Sequence, residues 1–193
     1  MKVIEGRFRE ARGYLWHCFA VIRPGIEIPV FEQPTTFSGD LTGAPEGELK
    51  LVIEEGRRQL DRQASDLERH RTRAGTVVTV ALVEIALLSN GARTSLRSGW
   101  PVTAAWSLSA VLVLFGLAGA VAVLTGRAVL GRSDTQVIAS APGPRLMEAA
   151  VSYAQDASLG EPTVAARLTV LRDAVLLLIL GALMYAAAWP YKN

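Results

Sequence analysis

Apolar positions are distributed unevenly along this chain, and their pattern predicts membrane helices. Between Arg97 and Arg127, residues 98–126 contain no acidic or basic side chain, a run longer than the roughly 20 residues that cross a bilayer's hydrocarbon core as helix. The second of three spans is therefore placed at 102–125. The first, 74–92, lies between Arg73 and Arg93, is interrupted by Glu84, Ser89 and Asn90, and is just long enough to cross. The third, 173–190, follows Arg172 and sits near the lower length limit, with Leu168, Val170 and Leu171 extending its apolar character. Three isolated segments cannot close a barrel, and lipid offers no partner for unpaired backbone groups, so each span must be helical. The expectation is an all-α membrane protein with three transmembrane helices.

The polar flanks carry a weaker pattern. From Pro45 the spacing changes: Glu46 and Glu48 suit a helix N-terminus, and no proline recurs before Pro101. Over 45–73 the residues Leu49, Val52, Ile53, Leu60, Ala64 and Leu67 recur at intervals of three, four and seven, which predicts an amphipathic stalk helix running into the first span. Ile53, Leu60 and Leu67 make a heptad series, but Gly56, Gln63 and His70 occupy the intervening seam, so the stripe is expected to pack on another helix and not to form a coiled coil alone. In the loop 126–172, Pro144 is predicted to start a helix with Leu146, Met147, Ala150, Val151 and Ala154 on its apolar face. That helix is expected to end near Gly160, with Pro162 restarting another that enters the third span as a second stalk. Either can supply the stripe's partner. Residues 1–44 are poorly regular: Pro24, Pro29 and Pro34 and several glycines favour extended or partly disordered chain. An alternative is an amphipathic helix over 5–22 that brings Tyr14, Leu15, Trp16, Phe19 and Ile22 to a membrane surface, with Arg7, Arg9 and Arg12 at head groups.

Charge sets the orientation. Arg69, Arg71 and Arg73 precede the first span, Arg127 and Arg132 follow the second, and Arg167 and Arg172 precede the third, which marks that side as cytoplasmic. Trp100, Trp106, Trp189 and Tyr191 gather at the other side like an interfacial aromatic belt. The expected topology is a cytoplasmic N-terminus, a short outer loop near 91–101, a cytoplasmic loop of about 40 residues and an outer C-terminus. No secretory signal peptide is read in the apolar stretch 14–22, which is short, contains His17 and leads into Arg23-Pro24. The formal charge of +2 is too small for a polyanion partner, which argues against nucleic acid. One cysteine, Cys18, excludes an intramolecular disulfide and a cysteine-based zinc site.

Glu84, about midway along the first span, is the main candidate for chemistry, because a bare carboxylate there costs several kcal/mol (~3 on insertion scales) or takes up a proton. It is read either as a proton or cation site or, preferentially, as a protonated carboxyl bonded to Thr79, Ser107, Ser109 or a neighbouring subunit. Gly116, Gly119 and Ala120 in the second span and Gly181 in the third permit close helix approach, within the chain or between subunits. The juxtamembrane cluster Arg69, Arg71 and Arg73 is read as a topology marker in preference to a lipid or phosphate site, since no glycine-rich phosphate loop lies nearby. His17 and Cys18 lack further ligands for a metal, and no catalytic constellation or cofactor motif is found. No enzymatic activity, cofactor or metal is expected.

The segment Leu67-Glu68-Arg69-His70-Arg71-Thr72-Arg73-Ala74-Gly75-Thr76, followed by a tight pair of spans, a cytoplasmic helix and a third span, resembles small bacterial membrane effectors. Across 50–190 the layout is similar to the SMODS-associated and Pycsar-type transmembrane families of anti-phage systems. The resemblance implies assembly in the inner membrane and its perturbation on a cytoplasmic signal. The leading expectation is a noncatalytic protein that self-associates through spans and stalks. The alternatives are an accessory subunit of a larger membrane complex and a small proton or ion conductor using Glu84. The expected partners are the lipid bilayer and either further copies of the chain or other membrane subunits.

Overall fold

The computed structural model describes residues 10–19, 39–126, 135–140 and 143–189, with backbone alone for 135–137. All regular structure among them is helical: α1 (10–19), α2 (Glu46–Arg97), α3 (Trp100–Thr125), α4 (Thr135–Ser140) and α5 (Arg145–Ala188). Three of these, α2, α3 and α5, are long and apolar enough to cross a membrane. Large apolar side chains such as Leu82, Val83, Phe115, Leu180 and Leu183 point outward from the spans, as expected where the surrounding solvent is lipid.

A seven-residue repeat decides which face of each long helix is covered. On α2 the series Leu49, Gly56, Gln63, His70, Val77, Glu84, Gly91 and the series Ile53, Leu60, Leu67, Ala74, Ala81, Leu88, Ser95 are all buried or half-buried. On α5 the same holds for Leu146, Tyr153, Gly160, Arg167, Ala174, Gly181, Ala188 and for Ala150, Ala157, Val164, Leu171, Leu178, Tyr185. On α3 the members are Val102, Ser109, Gly116, Val123 and Trp106, Val113, Ala120. A 3.5-residue period keeps a seam facing its neighbour along the whole helix, as in a coiled coil.

The chain divides into two compact units. One holds α4 with the early parts of α2 and α5. There Gly56 lies against Tyr153, where an added Cβ would stand 3.0 Å from Tyr153 Cβ and 3.3 Å from its carbonyl. Gln63 Nε2 donates to the Ala157 carbonyl at 2.7 Å. The two helices run parallel, and the stripe of α2 finds its partner in α5 of the same chain. The expected helix end near Gly160 does not occur, because α5 continues through Pro162. A proline inside a helix leaves the carbonyl four residues earlier, here Ser158, without its amide donor and costs about 3 kcal/mol. Burial of Pro162 and the bond from Gln63 to the neighbouring Ala157 hold that turn.

The other unit holds α1, α3 and the later parts of α2 and α5. α3 is antiparallel to both long helices. The connection from α2 is only Ser98 and Gly99, shorter than the loop expected at 91–101. Ser98 Oγ donates to the Thr94 carbonyl at 2.9 Å, and Thr103 Oγ1 donates to the Ser95 carbonyl at 2.9 Å, which ties the turn to both helices. Trp106 is not part of an interfacial belt: its Nε1 donates to the Leu88 carbonyl at 3.0 Å and its ring packs on a core of Ala81, Leu88, Val113 and Leu178. Trp100 and Trp189 do remain largely exposed; Tyr191 lies outside the described residues. Within 1–44, residues 10–19 form a helix in place of the extended structure favoured there, while Arg7, Arg9, Ile22 and the three prolines lie outside the described residues.

Candidate functional site

Glu84 belongs to the seam of α2, one turn from Ala81 and one from Leu88, both buried. Its Oε2 is enclosed and has no hydrogen-bond partner among the described residues, while the side chain as a whole is half-buried. The surrounding groups explain why. Ser109 Oγ donates to the Gly181 carbonyl at 2.7 Å, and Thr79 Oγ1 donates to Gly75 in its own helix at 3.1 Å. Ser107 is exposed. Two aromatic donors of the unit are also committed, Trp106 Nε1 to the Leu88 carbonyl and Tyr185 Oη to the Leu87 carbonyl at 3.3 Å. Of the hydroxyl partners expected for Glu84 within the chain, Thr79 and Ser109 are thus engaged elsewhere and Ser107 is turned outward.

The small residues are used inside the chain. A Cβ at Gly116 would stand 2.9 Å from Leu178 Cδ2 and 3.0 Å from the Ala174 carbonyl, and one at Gly181 would stand 2.8 Å from Val113 Cγ2. Ala120 is fully buried. Gly116 and Gly181 thus let α3 and α5 approach closely within the chain. Gly119 meets a different neighbour, the ring of Tyr14, whose Cζ would lie 2.7 Å from an added Cβ.

That contact docks α1. Gly13, Tyr14, His17 and Cys18 form its buried stripe, and Leu15, Trp16 and Phe19 its exposed apolar face. Tyr14 Oη donates to the Phe115 carbonyl at 2.8 Å. His17 Nδ1 donates to the Gly13 carbonyl at 2.8 Å, and burial holds its imidazolium form below the usual range, with Arg167 adding repulsion. Burial pushes the Cys18 thiol up to about 11. Tyr14 thus faces the helices and not a membrane surface, whereas Leu15, Trp16 and Phe19 face outward as the amphipathic alternative expected.

Arg167 is 5% exposed and donates to the Val123 carbonyl at 3.4 Å and to the Gly126 carbonyl. A guanidinium here satisfies the C-terminal carbonyls of α3 and complements that end's partial negative charge. Arg69 makes an exposed pair with Asp66, and Arg71 and Arg73 are exposed. Among the described residues no group of three metal-ligating side chains converges. Comparison with family models, with curated protein sequences and with solved structures gives no match.

Proposed function

We propose that this chain is a noncatalytic bacterial inner-membrane protein that self-associates at the exposed edge of the α2 seam, where the half-buried Glu84 lies, and that its assembly perturbs the membrane as an effector does. The observation that supports this reading is Glu84 itself. A carboxyl group in the span, half-exposed and with one enclosed oxygen that no described residue satisfies, is costly in hydrocarbon, and a group from a neighbouring copy bonding its exposed side would recover part of that cost. The apolar stripe of α2 and the small residues of α3 and α5 are consumed internally, so the carboxyl is the feature left to recruit a neighbour. The same argument weighs against conduction, because 74–92 has no second ionisable residue and 102–125 has none, and a relay needs several such groups.

The test is the mass of the full-length protein in lipid nanodiscs, read by mass photometry with identification of copurifying chains. The expected result is a discrete homo-oligomer that Glu84→Leu reduces to monomer and that Glu84→Gln, which keeps hydrogen bonding, retains in part. A stoichiometric foreign partner with no homomer would replace this reading with that of an accessory subunit.

A further inference from the structure

Beside α1 the spanning unit carries an open groove of about 400 Å³ lined by Ala11, Tyr14, Leu15, Phe115, Leu176 and Leu177, with Asp173 at its rim. The lining is almost wholly apolar, and Leu15, Phe115 and Leu176 are each more than two-fifths exposed. Asp173 is the first residue of the third span and Leu177 lies one turn further in, so the groove opens at head-group depth and descends toward hydrocarbon. At that depth an exposed apolar groove is covered by an acyl chain. The rim then decides which lipid supplies it. Arg172 lies 3.2 Å from Asp173 and 3.6 Å from Glu10, giving one guanidinium between two carboxylates. Arg172 and Glu10 are about half exposed. Exposed pairs of this kind contribute little and exchange partners readily. The trio carries one negative charge in excess.

We propose that this groove is a binding site for a phospholipid with a primary ammonium head group, its acyl chain between α1, α3 and α5. Arg172 takes the phosphate, and Asp173 with Glu10 takes the ammonium. A phosphoethanolamine head places a phosphate and an N–H donor a few bonds apart, matching one guanidinium flanked by carboxylates. A phosphocholine head has the charge but no N–H to donate, and an anionic glycerol head has no cation for the surplus carboxylate. Arg167 does not compete, because its guanidinium is spent on the carbonyls of Val123 and Gly126.

The test is native mass spectrometry of the full-length protein from micelles doped equally with phosphatidylethanolamine, phosphatidylcholine and phosphatidylglycerol of identical acyl chains. The expected result is a phosphatidylethanolamine adduct retained about tenfold over the other two, the ratio one charge-assisted hydrogen bond supplies. Asp173→Asn should abolish that preference while lipid is still retained, and Glu10→Gln should weaken it. Leu176→Trp, which fills the groove, should remove all three adducts, with Leu15→Trp as an independent filling variant if helix content shows the first to be misfolded. Equal retention of the three lipids, foremost retention of phosphatidylglycerol, no retained lipid, or a preference that Asp173→Asn leaves intact would each overturn the proposal.

Discussion

At the scale of single residues, the groups that organise the spanning unit are the polar ones hidden within it. Tyr14, His17 and Arg167 each place a donor on a backbone carbonyl, where a buried polar group without a partner would cost about 1–3 kcal/mol. His17 makes the docking of α1 depend on pH. Its pKa in the docked state lies below the ordinary 6.5 because burial disfavours the cation, the Gly13 carbonyl only partly offsetting this and the Arg167 guanidinium, across from it on α5, adding to it. Above about 6.5 the ring is neutral whether α1 is docked or free, and docking is at full strength. As pH falls through that value the free helix takes up the proton first, so docking weakens until the lower, docked-state pKa is passed. Maleimide labelling of Cys18 reports this once each rate is divided by that of the denatured chain at the same pH, which removes the change in thiolate fraction. Protection should fall between pH 7 and pH 5, and His17→Gln should flatten the profile. A profile that His17→Gln leaves unchanged would assign the effect to another group.

At the scale of elements, the seam on α2 shows what the sequence discloses and what it conceals. The three spans and the stripe Leu49 to Leu67 were legible because side chains of one character recur at a helical period. The heptad series itself continues past Leu67 to Ser95, where hydropathy no longer marks it. Its other series, Gly56, Gln63, His70 and Glu84, is small or polar, and hydropathy records transfer preference, not position in a fold. Each departure has a local cause in the structure: Gly56 admits Tyr153, and Gln63 bonds the carbonyl of Ala157. Pro162 misled for a related reason, since its helix-breaking tendency is overruled by packing along a long seam. The docking of α1 was hidden because Tyr14 reads equally well as an interfacial aromatic. The site at Glu84 was located by its charge alone, but its missing partner depends on which hydroxyls are already engaged. If Gly56 is the closest approach of the early α2 and α5, Gly56→Leu should force them apart, with an overpacking cost of about 1–3 kcal/mol. Limited proteolysis should then cut the early part of α5 several-fold faster, while Gly47→Leu, at a position with open space around it, should leave the rate unchanged.

At the scale of the whole molecule, three described helices are long and apolar enough to cross a membrane, and if all three cross, the start of α2 and the end of α5 lie on opposite sides of it. The helices supply length and apolarity; direction rests on the arginines. Arg167 complicates that count, since it is buried against the end of α3 and spent on backbone carbonyls, but during insertion it still stands as a charge beside the third span. Arg71, Arg73 and Arg172 stay exposed at the same end of the helices. Set against them, Arg93 and Arg97 close α2 at the opposite end and oppose the bias only weakly. A periplasmic phosphatase fused after Asn193 should therefore be active, and a fluorescent protein that matures only in the cytoplasm should be bright before Met1 and dark after Asn193. Both termini reporting the same side would mean that one apolar helix does not cross. The 74–92 stretch is the one to suspect, because its Glu84 has an enclosed oxygen with no partner among the described residues. Glu84→Leu would then discriminate: restoring opposite-sided termini would show that the carboxyl kept the helix out of the bilayer, and the self-association proposed for it would lose its basis.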